Sequence, residues 1–315
     1  TVLWSSGSQG TPRAIVHGLG QHLSSAAASA VHTPFGPGDR WVASLKMHHV
    51  GGLALLFRAL HGGGTVVFPE GRSLSSLEPT HLSWVPTQLL RADPAPPPTL
   101  KHVLLGGAAA PPALVRERRA LGWPVMTTYG STETASQVCT STTDADPHDS
   151  GAPLAGRQIE ATPALRVRGT TVALGVWSDG GIEPLANADG WLSTGDVGEL
   201  TAQGTVRVHG RADTMFISGG ENVFPEAIER VLGAHPDVRA VVVVDVPDPE
   251  WGARPWAFVD GEVDLDILRA FSSSRLPRHA WIDRVLPWST EGVTTTGKPR
   301  RAWFRARAHA MRDRS

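Results

Sequence analysis

The chain has 315 residues, of which 41% are hydrophobic and 19% charged, so it is long enough to bury two cores, and two domains are expected. Its 29 Lys and Arg against 30 Asp and Glu give a net charge of -1. The chain therefore lacks the overall positive charge that would attract nucleic acid or an anionic membrane. No apolar run reaches the roughly 18 residues of a membrane-spanning helix. The one cysteine, Cys139, excludes an internal disulfide and is typical of a reducing compartment, so a cytoplasmic location is predicted.

The first residues have the pattern of a buried strand. Residues 1–4 are apolar or β-branched and lead directly into a loop of Gly and Ser, with no leader segment before them. We therefore expect the chain to start inside a domain. Either something upstream has been lost or removed, or the chain is naturally short.

Short apolar runs alternate with helix-like stretches through the first half of the chain. Residues 65–68, 81–85 and 102–105 have strand character, and residues 112–121 have helix character. This alternation predicts α/β layers with parallel strands. From residue 165 to 208 the pattern changes to short strands separated by Gly and Asp turns, which predicts a small β-rich section.

The pattern changes again after residue 212. A helix is predicted from Pro225, and a strand follows at 240–244. We therefore predict an α/β fold with a layered parallel-sheet main domain over residues 1–212. A smaller, mobile α+β domain is predicted over residues 213–315.

A loop rich in hydroxyl groups and glycine follows the first strand. Small residues let backbone N–H groups close on phosphate oxygens, hydroxyls add donors, and Arg13 can neutralise charge on a leaving pyrophosphate. Composition alone also fits an ordinary Ser/Gly turn, because the spacing differs from that of the Walker loop. The candidate phosphate-binding residues are Ser5, Ser6, Gly7, Ser8, Gly10 and Arg13.

Five further motifs follow this loop. They are Tyr129-Gly130-Ser131-Thr132-Glu133, Thr194-Gly195-Asp196, Gly210-Arg211-Ala212-Asp213, Ser218-Gly219-Gly220-Glu221-Asn222 and Gly297-Lys298. With the loop, and in this order, they resemble the motifs of the acyl-adenylate-forming (AMP-binding) enzymes, over essentially the whole chain from Val2 to about Arg301. The resemblance implies an acyl-CoA synthetase-like fold that uses ATP or AMP, Mg²⁺ and coenzyme A.

The resemblance assigns catalysis to three residues. Glu133 would coordinate Mg²⁺, Thr132 would hold an α-phosphate oxygen, and Lys298 would bridge the attacking carboxylate and the nucleotide. Positive charge and a metal are needed because two anions must meet when a carboxylate attacks the α-phosphorus of ATP. Lys298 follows a polar loop, which suits a lysine that must enter for one half-reaction and leave for the next.

The same resemblance implies contacts to the nucleotide and to CoA. Tyr129 would stack on adenine, and Asp196 and Arg211 would contact the ribose. The C-terminal domain would rotate about Asp213 and bring in Gly219–Gly220, where small residues let the pantetheine arm pass close to the backbone. The remaining residues of the nucleotide site are Gly106, Gly107, Ala108 and Gly130.

This sequence departs from the family's pattern in two ways. Gln9 stands where the family usually has Thr, and Arg13 stands where it usually has Lys. A guanidinium keeps the charge but not the point geometry, which leaves open whether Arg13 fully replaces the lysine. The family also carries an N-terminal subdomain ahead of the phosphate loop, which we expect these residues to lack.

Residues 40–58 indicate which carboxylic acid would be the substrate. Within the family this stretch looks most like the o-succinylbenzoate:CoA ligases of menaquinone biosynthesis, in which an Arg at the position of Arg58 faces the acyl pocket and would answer the second carboxylate of a diacid. His49 matches the family histidine that lines this pocket. The implied substrate residues are Ser44, His49, Arg58, Thr87 and Gly107.

The helix predicted in this stretch shows an apolar stripe. An arginine beside such a stripe usually extends its charged end to the surface, which is the alternative interpretation of Arg58. The stripe consists of Leu53, Leu56, Phe57 and Leu60.

The implied partners are a small carboxylic acid, ATP and CoA, with neither nucleic acid nor a membrane. The oligomeric state stays open, a homodimer included. One alternative function is another aryl- or acyl-CoA ligase, or an adenylation enzyme that loads a carrier protein. A second is a catalytically inactive nucleotide-binding homologue, against which Glu133 and Lys298 argue, because a binding protein has no use for the lysine.

Overall fold

The chain folds into two compact units, Thr1–Val208 and His209–Ser315. The computed structural model describes residues 1–5, 12–162, 164–293 and 299–313. Within these ranges no helix is both long enough and apolar enough to cross a membrane. The predicted boundary after residue 212 and the hinge at Asp213 remain predictions.

The first unit combines helices with many short strands. The helices are α1 (Leu19–His32), α2 (Val50–Gly62), α3 (Pro86–Leu90) and α4 (Pro112–Ala120). The strands are β1 (Val2–Ser5), β2 (Arg13–Val16), β3 (Arg40–Val42), β4 (Thr65–Val67), β5 (His81–Trp84), β6 (His102–Leu105), β7 (Val125–Ser131), β8 (Ser136–Thr140), β9 (Ala152–Pro153), β10 (Arg157–Ala161), β11 (Ala164–Gly169), β12 (Gly175–Ser178), β13 (Gly181–Glu183), β14 (Leu192–Leu200) and β15 (Val206–Arg211).

The main sheet has seven strands among the described residues, in the order β4-β3-β5-β6-β7-β8-β9. The strands from β4 to β7 pair in parallel, and β8 and β9 continue the sheet antiparallel. Parallel strands are usually covered on both faces, which explains why β5 and β6 are almost entirely buried. Strand β6 is largely apolar, whereas β5 also buries His81 and Ser83. The predicted α/β layering with parallel strands is confirmed.

Two smaller sheets complete the first unit. One has the order β1-β2-β12-β13, and the other has the order β10-β11-β14-β15. The boundary between the two units falls within β15, after Val208. The pairs between β10, β11 and β14 are antiparallel, and Leu165, Val167 and Leu192 are buried from them. The β-rich section that Gly and Asp turns predicted is therefore present.

The second unit is an α+β structure with its own core. Its strands are β16 (Phe216–Ser218), β17 (Glu221–Val223), β18 (Val238–Asp248), β19 (Gly252–Gly261) and β20 (Arg284–Pro287), and its helices are α5 (Pro225–Leu232), α6 (Leu265–Ser272) and α7 (Arg301–Arg312). Strands β18 and β19 pair antiparallel, and β20 pairs with β19 in parallel. Ile228, Leu268 and Phe304 are fully buried, one from each helix. The predicted α+β domain is confirmed.

Helix α2 does not bury its most apolar stripe. Leu60 is 75% exposed and Leu56 is 38% exposed, whereas Arg58 is only 5% exposed. The helix instead buries a face of small and aliphatic residues that includes Ala54 and Leu55. The arginine beside the stripe therefore lies inside the unit, and the interpretation that places it at the surface is wrong.

Candidate active site

Several predicted site residues lie within three residues of the carboxyl end of a strand of the main sheet. Ser44 follows β3, Thr87 follows β5, Gly106 follows β6 and Thr132 follows β7. Because the carboxyl ends of parallel strands meet at one edge of a sheet, these residues share that edge, where α/β proteins bind their ligands. Ser44 is tied there by its hydroxyl, which donates to the Ser83 carbonyl at 2.6 Å.

The glycine segment after β6 approaches the neighbouring strand closely. The Gly106 N–H donates to the Trp84 carbonyl at 3.0 Å, and a Cβ on Gly106 would lie 2.4 Å from the Thr128 hydroxyl. Gly107 has a φ of +76°, which L-residues rarely adopt. Gly107 and Ala108 are both exposed, so this segment offers open backbone at the edge of the sheet.

Tyr129 and Asp196 form a hydrogen-bonded pair. The Tyr129 hydroxyl, on β7, donates to Asp196 Oδ2, on β14, at 2.7 Å. Burial and the adjacent Asp196 carboxylate raise the pKa of Tyr129, so the phenol stays a donor at neutral pH. The Asp196 N–H donates to the Thr194 hydroxyl at 3.1 Å. The structure thus brings together the residues that sequence motifs assign to adenine and to ribose.

Glu133 and Arg13 form an ion pair, with Arg13 Nη2 2.8 Å from Glu133 Oε1. Glu133 lies in a short turn, Thr132–Thr134, and the Thr134 hydroxyl accepts from the Ser131 N–H at 3.0 Å. Gly130 permits this turn, because a Cβ there would lie 1.7 Å from the Ser136 carbonyl oxygen. The predicted phosphate cation and the predicted metal ligand are therefore neighbours.

The donor set at Glu133 fits magnesium in a nucleotide complex. Mg²⁺ is usually held by one or two carboxylates together with substrate phosphates and water. Glu133 supplies one carboxylate, and Thr132 beside it supplies a hydroxyl. Among the described residues, no group of three or more His, Cys, Asp or Glu side chains forms a metal cage.

Three arginines of the first unit are buried: Arg58, Arg118 and Arg157. Both Nη atoms of Arg118, on α4, donate to the backbone carbonyls of Leu90, Ala92 and Asp93, whereas Arg58 and Arg157 lie close enough for the charge of one to act on the other.

Arg58, on α2, donates from Nη2 to Gln137 Oε1 at 2.6 Å, and its guanidinium lies 5.0 Å from the centre of the Trp41 ring. Arg157, at the start of β10, donates to the Ala155 carbonyl at 3.0 Å and to the Ser25 hydroxyl at 3.4 Å. Their exposed fractions are 5% and 6%.

These two guanidinium groups have no acidic partner in the described residues. Their bonds go to an amide, a carbonyl and a hydroxyl, and the Nε of each is buried without a partner. Burial, together with the nearby charge of Arg157, lowers the pKa of Arg58 to about 10. Burial likewise lowers the pKa of Arg157 to about 10. Both stay cationic at neutral pH, and such uncompensated buried charge is typical of a functional site.

His49 lies at the opposite end of α2 from Arg58. It precedes the first residue of the helix and is exposed, and burial of part of its ring, with the charges of His48 and Lys46, lowers its pKa. Arg58 follows nine residues later, or about 13 Å along the helix axis. Thr87 is exposed in the first turn of α3. His49 and Arg58 thus lie well apart along α2, and the assignment of the five substrate residues stays a prediction.

Part of the predicted site lies outside the described residues. Ser5 ends β1 and is buried, and its hydroxyl has no hydrogen-bond partner among the residues that the structure describes. The predicted residues outside the described ranges are Ser6, Gly7, Ser8, Gly10 and Lys298.

The second unit holds the remaining predicted residues. Arg211 donates from Nε to Asp213 Oδ1 at 3.1 Å. Gly219 and Gly220 form the turn between β16 and β17, with φ values of +60° and +84°. The Gly219 N–H donates to the Trp251 carbonyl at 2.9 Å. The sequence motifs pointed to the glycines but gave no signal for Trp251.

Comparison with known proteins gives the class of this chain. The family model for AMP-binding enzymes matches residues 1–176, and the model for the C-terminal domain of AMP-binding enzymes matches residues 227–298. The chain belongs to the AMP-binding enzyme family, as the sequence motifs predicted.

Individual relatives share one name. The 2-succinylbenzoate–CoA ligase of Salmonella typhimurium is 42% identical over 271 residues, which cover 83% of this chain and 59% of that protein. The o-succinylbenzoate CoA synthetase of Bacillus subtilis, solved with the acyl-adenylate intermediate OSB-AMP, superimposes with a TM-score of 0.87 at 30% identity, covering 96% of this chain and 68% of that chain. The same synthetase solved with ATP and magnesium gives a TM-score of 0.84, again at 30% identity, over 96% and 69%. This chain thus spans about three fifths of the curated relative.

Proposed function

We propose that this protein is an ATP-dependent carboxylate:CoA ligase that works through an acyl-adenylate, with o-succinylbenzoate as its acid, in menaquinone biosynthesis. The observation that carries the proposal is the pair of buried arginines, Arg58 and Arg157, without a carboxylate partner, in a chain of the AMP-binding enzyme family. Relatives named for this reaction, solved with OSB-AMP and with ATP and magnesium, support it.

The first half-reaction joins the acid to AMP. A carboxylate oxygen attacks the α-phosphorus of ATP, and pyrophosphate leaves with the electron pair of the broken P–O bond. Magnesium, when bound, neutralises phosphate charge. We assign Glu133 to hold this ion, the Thr132 hydroxyl to bind an α-phosphate oxygen, and Lys298 to offset the charge that develops as the two anions meet.

The nucleotide would be held by residues that already contact one another. The Tyr129 ring offers a face for adenine, and its hydroxyl orients the Asp196 carboxylate, which can accept hydrogen bonds from the ribose hydroxyls. Arg13 would exchange Glu133 for the pyrophosphate, which frees the carboxylate for magnesium. In the complex with Mg·ATP, Arg13 would therefore pair with phosphate and Glu133 with magnesium.

The two arginines explain why the acid would carry a second carboxylate. A buried cation without an anionic partner costs free energy, and a ligand carboxylate at Arg58 would compensate that cost. Arg157 adds positive charge near the same position, since its charge lowers the pKa of Arg58. An acid with one carboxylate to be activated and another to be bound by arginine fits this arrangement.

The second half-reaction makes the thioester. The sulfur of CoA attacks the acyl carbon of the adenylate, the bond from that carbon to AMP breaks, and the thiol proton passes to solvent. We assign the exposed Gly219–Gly220 turn to the passage of the pantetheine arm, because glycine leaves its backbone open to close approach.

The test is pyrophosphate release from Mg·ATP with o-succinylbenzoate, or with either of two monoacids that each lack one of its carboxylates. We expect Lys298→Ala to lower release by on the order of 100-fold. Arg58→Ala should lower kcat/KM for the diacid by on the order of 100-fold, because a buried charge pair is worth a few kcal/mol. The rate with the monoacid that lacks the carboxylate assigned to Arg58 should stay unchanged. Arg72→Ala, at an exposed arginine of the same unit, is the matched control.

Two results would contradict the proposal. Release with monoacids but not with the diacid would make the protein a different acid:CoA ligase or a carrier-loading enzyme. Measurable binding of AMP without release of pyrophosphate for any acid would make it an inactive nucleotide-binding homologue.

A further inference from the structure

Arg254, on β19 of the second unit, uses all five of its N–H donors. Its exposed fraction is 7%. Nε donates to Asp283 Oδ2 at 2.8 Å, and Nη2 donates to Asp283 Oδ1 and to the Trp281 carbonyl, both at 2.9 Å. Nη1 donates to the His279 carbonyl at 3.1 Å and to the Ser218 hydroxyl at 3.3 Å. This buried cation is both charge-paired and fully hydrogen-bonded.

The bonds of Arg254 connect a rigid part of the unit to the glycine turn. Asp283 is held a second time, because Arg269 Nη2 donates to its Oδ1 at 3.0 Å. Ser218 is the last residue of β16, directly before the turn, and it is fully buried. Arg254 therefore ties the base of the turn to a side chain that is itself fixed by two arginines.

Trp251 is the second link between Arg254 and the turn. The Arg254 guanidinium lies 4.8 Å from the centre of the Trp251 ring. A Cβ on Gly219 would lie 2.6 Å from Trp251 Cε3, so the ring packs directly against the glycine backbone. The Trp251 carbonyl accepts the Gly219 N–H at 2.9 Å. The turn thus rests on a ring that Arg254 contacts from β19.

The turn is a two-glycine connection between the paired strands β16 and β17. Gly219 and Gly220 adopt left-handed conformations, and the residues from Gly219 to Asn222 are exposed. Glycine has the largest conformational freedom of any residue, so an exposed turn of two glycines is well ordered only if its base is anchored. Ser218 and Trp251 anchor the base of this turn, and Arg254 contacts both.

We propose that Arg254 is a positioning residue for the thioester-forming half-reaction. It holds Ser218 and Trp251 in place and thereby fixes the backbone of Gly219–Gly220 in the conformation that admits the pantetheine thiol. Arg254 does not itself touch the substrate. This inference rests on the proposed function, in which that turn serves CoA and a different part of the site serves adenylation.

The test measures the two half-reactions separately in the full chain. Adenylation is followed as pyrophosphate release without CoA in a single turnover, and thioester formation as acyl-CoA produced after CoA is added. We expect Arg254→Ala to keep adenylation within about 2-fold and to lower thioester formation at least 10-fold, with a higher KM for CoA. Arg254→Lys should fall between, since an ammonium keeps the charge but not the planar set of five donors.

A milder variant keeps the test decisive if Arg254→Ala does not fold. Ser218→Ala removes one bond between Arg254 and the base of the turn and leaves the Asp283 pair intact. We expect it to lower thioester formation by about 3-fold or more while adenylation stays within about 2-fold and the chain remains folded. Arg305→Ala is the matched control, because Arg305 is an exposed arginine of the same unit that pairs with Asp245 at 2.5 Å.

The outcomes separate this inference from the proposed function. If the unmodified chain makes the thioester and the Arg254 and Ser218 variants slow both half-reactions equally, or slow neither, Arg254 is only structural and the inference is wrong. If the unmodified chain releases no pyrophosphate with any acid, the proposed function fails and this inference fails with it.

Discussion

The hydrogen bond between Tyr129 and Asp196 joins two residues that lie 67 positions apart in the sequence. Tyr129 comes from the main sheet and Asp196 from a strand of the β-rich section. A hydrogen bond to a charged acceptor contributes about 1.5–3 kcal/mol, and it also fixes the direction in which the carboxylate points. Nucleotide affinity should therefore depend on the phenol as well as on the ring.

Tyr129→Phe keeps the ring and removes the hydroxyl. We expect the affinity for AMP to fall about 10-fold, because the carboxylate is less well oriented to accept the ribose hydroxyls. Isothermal titration with AMP measures this. Asp196→Asn should weaken binding further, since it removes the charge as well. AMP binding by Tyr129→Phe that equals the unmodified protein would show that the hydroxyl plays no part.

The sequence proposes individual residues for a nucleotide site, but it does not show the contacts between them. Tyr129, Glu133 and Asp196 each stand in a short motif, which the sequence displays directly. Arg157 has no such motif, and its contact with Ser25 spans 132 positions. Arg254 likewise stands in no recognisable motif, because its five hydrogen bonds join residues that come together only in the folded chain.

At the scale of elements, the strands were more predictable than the buried faces of the helices. Strand β6 is buried on both faces, so its run of Val103, Leu104 and Leu105 is enough to identify it. Helix α2 has apolar residues on more than one face, and its periodicity does not say which face the sheet will cover. Its buried face contains Arg58, a residue that any burial rule based on hydropathy would place outside.

Helix α6 begins with a side-chain cap. The Asp264 carboxylate accepts a hydrogen bond from the Ile267 N–H at 2.9 Å, which satisfies one of the unpaired donors of the first turn. We expect Asp264→Ala to lower the free energy of unfolding of the second unit by about 1 kcal/mol. Urea unfolding measures this. Asp264→Asn keeps a capping oxygen and should stay close to the unmodified protein; an equal loss in both variants would argue against the cap.

At the scale of the whole molecule, the chain has separate cores in its two units. The main sheet encloses Leu82, Val103 and Trp123, and the second unit encloses Ile228 and Leu268 among its own residues. A change in the core of one unit should therefore act first on the unfolding of that unit.

The first unit should lose stability in mild acid. Burial, followed by the charge of a neighbouring histidine, lowers the pKa of His17 and of His81 to about 4. The unfolded chain, with histidine pKa values near 6.5, binds more protons between these limits, so the free energy of unfolding falls as the pH drops from about 6.5 towards 4. At pH 5 the loss is about 2 kcal/mol for each histidine.

Thermal unfolding at pH 7.5 and pH 5.0 tests this sign. The transition of the first unit should move to lower temperature in acid, while Asp264→Ala should lower the transition of the second unit at both pH values. His17→Leu removes one ionisable ring and should reduce the pH dependence, whereas His61→Gln, at an exposed histidine, should leave it unchanged. A first unit that is equally stable at both pH values would contradict the buried-histidine account.

The single cysteine gives the molecule a practical property. Cys139 is fully buried in β8, and burial raises its pKa, so its thiol is shielded from solvent and protonated. A cysteine introduced at an exposed position would then be the one thiol that a maleimide dye reaches. Arg72→Cys in the first unit and Arg239→Cys in the second are exposed positions of this kind. The protein is therefore a ready host for a donor and an acceptor fluorophore, with no native cysteine to remove first.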